Sequence, residues 1–478
     1  MPPSLALLLW FILLVTLLRF DPAKDPKLSP ALWVAVIWMF ILGSRLPSQW
    51  LGLQVGSAAQ ALEEGNPLDR TISSVLILLA VSILMSRSFS WSGFFVRNVA
   101  LMAFLSFALV SVCWSDFPFV AFKRWFRDLG NYLVILVVLS DPRPLEALRA
   151  VLRYLSYLLV TLSILLIKYF PQLSKQYDSW TGAEMYVGAT TGKNLLGVVC
   201  LISGLFFFWD TVVRWPERKQ RRTRRIILVN VTFLAMTLWL LNLASSTTSR
   251  VCLVLGCLVI AAAHTRPVRR RPALLKALIP ACFCLYVILS FGFDMNGAMA
   301  GAVGKDPTLT DRTKIWAFLH SMHTNPLVGT GYESFWLGPR LQSFWQNAGL
   351  GHINEAHNGY LEIYLNLGLI GVCLLGGFVI ASYQTICRRL KPFSSLASLT
   401  LALWITMLFY SVTEAGFRAG LMWLTFLLGG IAVSERPKSR AHNITIFDSA
   451  LSTDRLPIPT LEMTQVSGDN HGYAHSAS

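Results

Sequence analysis

Residues 354–371, NEAHNGYLEIYLNLGLIG, open like a polar loop and close like the interior of a membrane helix. Asn354 or Asn358 can start that helix, because a short polar side chain accepts from the free N–H groups of a first turn. At 3.6 residues per turn, His357, Leu361, Tyr364, Gly368 and Gly371 then share one stripe. Small residues on a membrane helix let a neighbouring helix approach, so the stripe puts His357 at the rim of a groove and not against lipid. An imidazole there is suited to taking a proton near neutral pH, and the helix N-terminus offers unpaired N–H groups to anions. The residues alone allow equally a histidine that only hydrogen-bonds its own loop.

The rest of the chain fixes the solvent. Of 478 residues 54% are hydrophobic and 14% charged, and the mean hydropathy is +0.54. Apolar runs recur beyond what a water-soluble core could bury, which implies an all-α polytopic transmembrane helix bundle. The runs are 5–18, 32–46, 72–85, 99–112, 129–139, 152–167, 195–213, 226–243, 251–263, 274–293, 359–386, 399–412 and 421–433. They give about 12–13 spans, depending on whether the first crosses; it lacks a basic flank and a cleavage site and reads as a retained helix.

Basic residues in short loops orient the bundle. Residues 214–225 hold seven Lys and Arg and residues 264–272 hold four, so these loops and 387–392 are expected on the cytoplasmic side. Alternation then places 169–193, 242–250 and one large loop, 294–358, on the periplasmic side. The membrane domain is 1–433, and the polar segment 434–478 is expected to be a disordered cytoplasmic tail. Much of the +16 net charge sits in such clusters, which argues for topology signals and against nucleic acid. The eight cysteines lie in or beside apolar runs without a CxxC pair, which disfavours disulfides and zinc. Residues 114–130 break the charge rule: Lys123, Arg124 and Arg127 fall on the outer side among aromatics, as an interfacial helix or as a cationic wall for an anionic headgroup.

His357 and Asn358, nine residues, Gly368, two residues and Gly371 resemble the H-[NSQ]-x9-G-x-x-G pattern of the O-antigen ligase and O-antigen polymerase family. WSDFP with Arg124, TTGKNLLG (190–197), SSTTSR (245–250), DRTKIW (311–316) and NPLVGTGYESF (325–335) resemble further segments of that family in the same order. The resemblance implies a GT-C-like inner-membrane glycosyltransferase acting on the periplasmic side. Such an enzyme transfers a glycan from a polyprenyl diphosphate to an acceptor hydroxyl, on a glycan or on lipid A-core, in O-antigen or exopolysaccharide assembly. It also implies no cofactor and no metal, in keeping with the lack of a DxD pair on the expected outer side.

The expected catalytic residues are His357, which takes or orients the acceptor proton, and Arg250 and Arg312, which meet the diphosphate. Arg124, Lys193, Asn194, Asn358, Glu355 and Tyr360 are the expected substrate-binding residues, and Glu355 or Glu362 would orient the histidine. GTGYES (329–334) lacks the lysine of a P-loop and reads as a tight turn over the groove. His320, His323 and His352 read as solvated, and Trp316, Tyr332, Phe335, Trp336, Phe344 and Trp345 as sugar-stacking surfaces or an aromatic belt. The alternative function is a secondary transporter or flippase, against which stand the missing paired halves and the gathering of cations at one face. Ligase, polymerase and protein O-glycosyltransferase stay open.

Overall fold

Proline and asparagine set many of the helix starts. Pro67, Pro118 and Pro144 each take a first helical position, where a missing N–H costs nothing. The computed structural model describes residues 1–25, 27–53, 63–87, 89–177, 182–271, 312–348, 353–390 and 395–432, with isolated positions between 276 and 283. The expected tail, 434–478, and His352 lie outside the described residues. Met1–Val433 forms one compact unit.

The main helices are α1 Pro3–Phe20, α2 Leu32–Gly43, α3 Pro67–Ser86, α4 Trp91–Arg97, α5 Val99–Val110, α6 Pro118–Leu139, α7 Pro144–Tyr169 and α8 Lys193–Arg214. They continue as α9 Arg221–Ala244, α10 Thr247–Ala263, α11 Arg312–Ser321, α12 Gly338–Asn347, α13 Gly359–Leu390, α14 Ser395–Thr413 and α15 Leu421–Gly430. Two strands, β1 Lys175–Tyr177 and β2 Glu184–Tyr186, form an antiparallel hairpin between α7 and α8. Every expected apolar run falls on one of these helices except 274–293, which lies largely outside the described residues.

Among the described residues seven helices are long and apolar enough to cross a membrane, or eight if α4 and α5, bent by 92°, form one broken span. The chain is therefore an all-α polytopic membrane protein. The expected 12–13 spans also count α6, the shorter apolar helices α2, α10 and α15, and run 274–293.

Helix α8 is the centre of the bundle, packed by α7, α9, α10 and α14. Its apolar window is 78% buried, against 11% for α1, whose apolar side chains face outward as they would toward lipid. At the seam between α8 and α10 a Cβ on Gly256 would stand 2.5 Å from the end of the Leu205 side chain, so glycine lets the two helices approach without displacing that leucine.

The stripe of residues 357–371 is not one continuous face. Gly368 has φ 62° and ψ −166°, which breaks α13 into two segments. Residues 326–331 pass through the break and take up the freed backbone groups. Thr330 N–H donates to Leu365 C=O at 3.1 Å and Gly331 N–H to Asn366 C=O at 2.9 Å, while Leu369 and Ile370 donate to Pro326 and Leu327 at 2.9 and 3.1 Å. A Cβ on Gly368 would lie 2.2 Å from the Leu327 carbonyl carbon. The close neighbour of this small residue is thus the GTGYES loop and not another helix. That loop is a turn, as expected, with φ 65° at Gly329 and 95° at Gly331.

Gly368→Ala combines a left-handed backbone penalty of about 1–2 kcal/mol with a clash against immovable backbone. It should lower the thermal unfolding midpoint in detergent well below that of Gly376→Ala, whose added methyl meets nothing within 4 Å. Equal midpoints would contradict the break as described.

Candidate active site

Segments far apart in sequence converge on one carboxylate. Glu414, directly after α14, is 3% exposed. Asn194, the second residue of α8, donates from Nδ2 to both of its oxygens at 3.0 Å. Arg312, at the start of α11, donates from Nη2 to Oε1. His357 Nδ1 lies 3.2 Å from Glu414 Oε2 and 3.0 Å from Glu355 Oε1.

The local backbone is built to present this histidine. His357 has φ 48°, a left-handed conformation that costs energy in a residue with a Cβ. Its neighbour Ala356 is pinned on both sides: its N–H donates to Glu362 Oε2 at 2.9 Å, and its C=O accepts from Trp316 Nε1 at 2.9 Å. Asn358 is the N-cap of α13, as expected, accepting from the Tyr360 and Leu361 N–H groups at 3.0 Å. Glu362 also accepts from Trp336 Nε1 at 2.7 Å, so one carboxylate joins the histidine loop to the core of the outer loop.

Burial alone would hold the His357 imidazole neutral. The hydrogen bond to Glu414 and the charges of Glu355 and Glu414 together outweigh that burial and the opposing Arg312, and raise its pKa above the ordinary histidine value. The imidazolium is therefore the form these carboxylates favour.

A cavity of about 630 Å³ opens beside this cluster. Lys193, Asn194, Glu355 and Glu414 line one side, and Arg127, Glu333 and Arg418 the other. Among the described residues no carboxylate pairs with Lys193. The opposite wall is a second ionic group. Arg418 donates to Glu333 Oε2 at 2.9 Å and to the Asn354 carbonyl at 3.1 Å, and Arg124 donates to the Glu333 carbonyl. Burial opposes the Glu333 charge, but Arg418 and Arg124 hold its carboxyl below the usual range. Glu333 has φ 50°, the second strained non-glycine residue at this cavity.

The expected residues thus divide. His357, Arg312, Asn194 and Glu355 meet at Glu414, Lys193 stands beside them on the cavity wall, and Arg124 reaches the opposite wall through the Glu333 carbonyl. Asn358 and Tyr360 serve the fold: the first is spent on its cap, and the Tyr360 hydroxyl reaches the Leu408 carbonyl at 3.3 Å with its ring edge-on to Phe417. Arg250 does not join the cluster; its exposed guanidinium turns back to the Asn242 carbonyl at 2.9 Å, capping the end of α9. Phe335, Trp336 and Phe344 are 1%, 3% and 0% exposed and form a core beneath the outer loop, so they offer no face to a sugar. Glu414 and Arg418 were not anticipated. Their signal was a glutamate and an arginine in the short link between two apolar helices, on the same side as the histidine.

Glu355, His357 and Glu414 bring three possible ligand atoms within 4.8 Å of one another, a spacing a divalent ion could use. Both Glu414 oxygens, however, already accept from Asn194, and one also from Arg312, so an ion there would stand against a guanidinium. The arrangement suits a shared proton better than a metal.

Residues 231–376 match the family model described as O-antigen ligase. Over 304 residues, 62% of this chain and 67% of the relative, the sequence is 24% identical to the exopolysaccharide production protein ExoQ of Rhizobium meliloti (strain 1021). The family match contains Arg312, His357 and the broken helix, while Asn194 and Glu414 come from outside it. Over that stretch, which holds the histidine of the site, this polytopic membrane protein is similar to the O-antigen ligase family.

Proposed function

We propose that the chain is a membrane glycosyltransferase of polysaccharide assembly, transferring a glycan from a polyprenyl diphosphate to an acceptor hydroxyl at the periplasmic face of the inner membrane. One observation carries the reading. Glu414 holds together Asn194, Arg312 and His357, from three distant segments, at the wall of a cavity large enough for a sugar and a diphosphate.

In this reading Glu414 and Glu355 hold the Nδ1 proton of His357 and make the other ring nitrogen a stronger base. The acceptor oxygen attacks the anomeric carbon and its proton passes to that nitrogen. The bond from the anomeric carbon to the diphosphate breaks, its electron pair leaves with the diphosphate, and the two carboxylates stabilise the imidazolium formed. A single displacement inverts the anomeric centre. The departing charge is met by protein cations in place of a metal: Lys193 first, since among the described residues no carboxylate shares it, with Arg418 and Arg127 across the cavity. Arg312 is neutralised by Glu414 and acts on the histidine side.

His357→Ala should lower transfer from a lipid-linked oligosaccharide by about 10²–10⁴-fold in folded protein. Because the raised histidine pKa depletes the basic form, the acid limb of the kcat/KM profile should lie above the ordinary histidine value of about 6.5. Glu414→Gln should move that limb to lower pH and reduce the plateau rate. An unmoved limb would separate His357 from the proton transfer.

The distribution of cations gives a second expectation. Lys193→Ala should weaken use of the lipid diphosphate by about ten- to a hundredfold, the value of a charged hydrogen bond. Arg250→Ala should have the smaller effect, and activity should persist in chelator. The reverse order of the two variants would move the diphosphate to the α9–α10 end.

A further inference from the structure

At the far end of α8 from the candidate site lies a second built cluster. Asp210, 0% exposed, accepts from Arg153 at 2.5 Å, from Arg214 Nε at 2.9 Å and from Asn230 at 2.9 Å, with Arg149 at 3.4 Å. Asp21, just after α1, faces Arg153 at 3.8 Å. The cluster therefore joins the ends of α7, α8 and α9 to the link that follows α1. A buried acid ringed by arginines survives only where the partners are fixed, so the end of the bundle is held rigid here.

A cavity of about 390 Å³ sits on this cluster, between residues 23–25 and the start of α9. Its cations are Lys24, Arg214 and Arg222. Among the described residues Lys24 donates only to the Leu18 carbonyl at 3.2 Å, and Arg222 to the Pro22 and Lys24 carbonyls at 2.9 and 3.4 Å. Arg214, which also lines the cavity, gives Nε to Asp210, and among the described residues its two terminal amino groups have no hydrogen-bond partner. The acids are differently placed. Asp25 is paired with Arg143 and Glu146 with Arg149 at 2.8 Å, and Glu217 stands on the exposed rim. Three cations whose charge is met by carbonyls or only in part thus converge from two sides, in the geometry that binds phosphate oxygens.

We infer that this cavity binds the phosphate of an anionic phospholipid headgroup. The ligand is lipid and not free phosphate because lining residues 23–25 directly follow α1, a helix whose apolar side chains face outward and which ends in Phe20, 76% exposed. Acyl chains would run along α1 from a headgroup held at its polar end. The lipid would also fasten α1, which is little buried by the bundle and is otherwise tied through Trp10 Nε1 to Thr161 at 2.8 Å and through residues 21–24. The site is separate from the glycosyl transfer proposed above and does not depend on it.

The test uses the full chain in nanodiscs of phosphatidylcholine alone or with phosphatidylglycerol. Phosphatidylglycerol should raise the thermal midpoint, and native mass spectrometry should find it retained after detergent extraction. Lys24→Gln with Arg222→Gln should remove both effects, since it gives up only carbonyl contacts and leaves the Asp210 cluster whole. Arg224→Gln with Arg225→Gln, an equal loss of charge outside the cavity, should keep both. The inference is overturned if phosphatidylglycerol and phosphatidylcholine act alike, if the two double variants behave the same, or if inorganic phosphate in detergent gives the whole shift. Should the first double variant not fold, Lys24→Gln alone with the mass-spectrometric readout decides, retention equal to wild type counting against the site.

Discussion

The candidate site depends on one buried carboxylate and on who shares it. Removing an ion from water costs several kcal/mol unless hydrogen bonds and opposite charge replace the lost solvent. Glu414 meets that condition with the Asn194 amide, the Arg312 guanidinium and the His357 ring. Each partner belongs to a different segment, so the charge can be buried only when α8, α11 and the loop before α13 are in register. The same contact that makes the histidine a stronger base also closes the fold around it.

The broken helix is the second constraint, and it is coupled to the first. The short first segment of α13 carries Asn358 at its cap and Glu362 one turn on, and ends where residues 326–331 enter the break. The loop that crosses the break continues into Glu333, which pairs with Arg418 on the opposite wall of the cavity. Backbone bonds at the break therefore set the distance between the two ionic groups. A continuous helix would satisfy its own backbone and leave the outer loop without this anchor.

Much of the architecture was legible because lipid imposes it: long apolar runs have few structural meanings, and the described ones became helices. The asparagine cap and the histidine beside it were legible for a similar reason, since a short polar residue before a helix has a local job. Gly368 was ambiguous, because glycine in an apolar helix serves a close neighbour or a break equally well, and only the path of residues 326–331 decides between them. Arg250 was expected in the groove, whereas in the structure its long side chain turns back to a carbonyl eight residues away. Glu414 was missed for the complementary reason. Its partners lie 57 to 220 residues away, and no local pattern distinguishes it from a charge at the end of a span.

The pairing of charges, more than their number, divides labour in the cavity. In the proposed reading Arg312 and His357 share carboxylates, so an incoming diphosphate is attracted less by them than by Lys193, which lines the same side of the cavity and pairs with no carboxylate among the described residues. A nucleophilic hydroxyl is neutral and loses nothing by standing near Glu414 and Glu355. In that reading a lipid diphosphate would be repelled by the same two groups and drawn to the Lys193 ammonium, which no carboxylate claims among the described residues. Under the proposed function donor and acceptor would then be sorted by charge, with the histidine on the acceptor's side. An arginine in place of Glu414's amide partner would erase this asymmetry, and with it the reason for the acceptor to approach from the histidine.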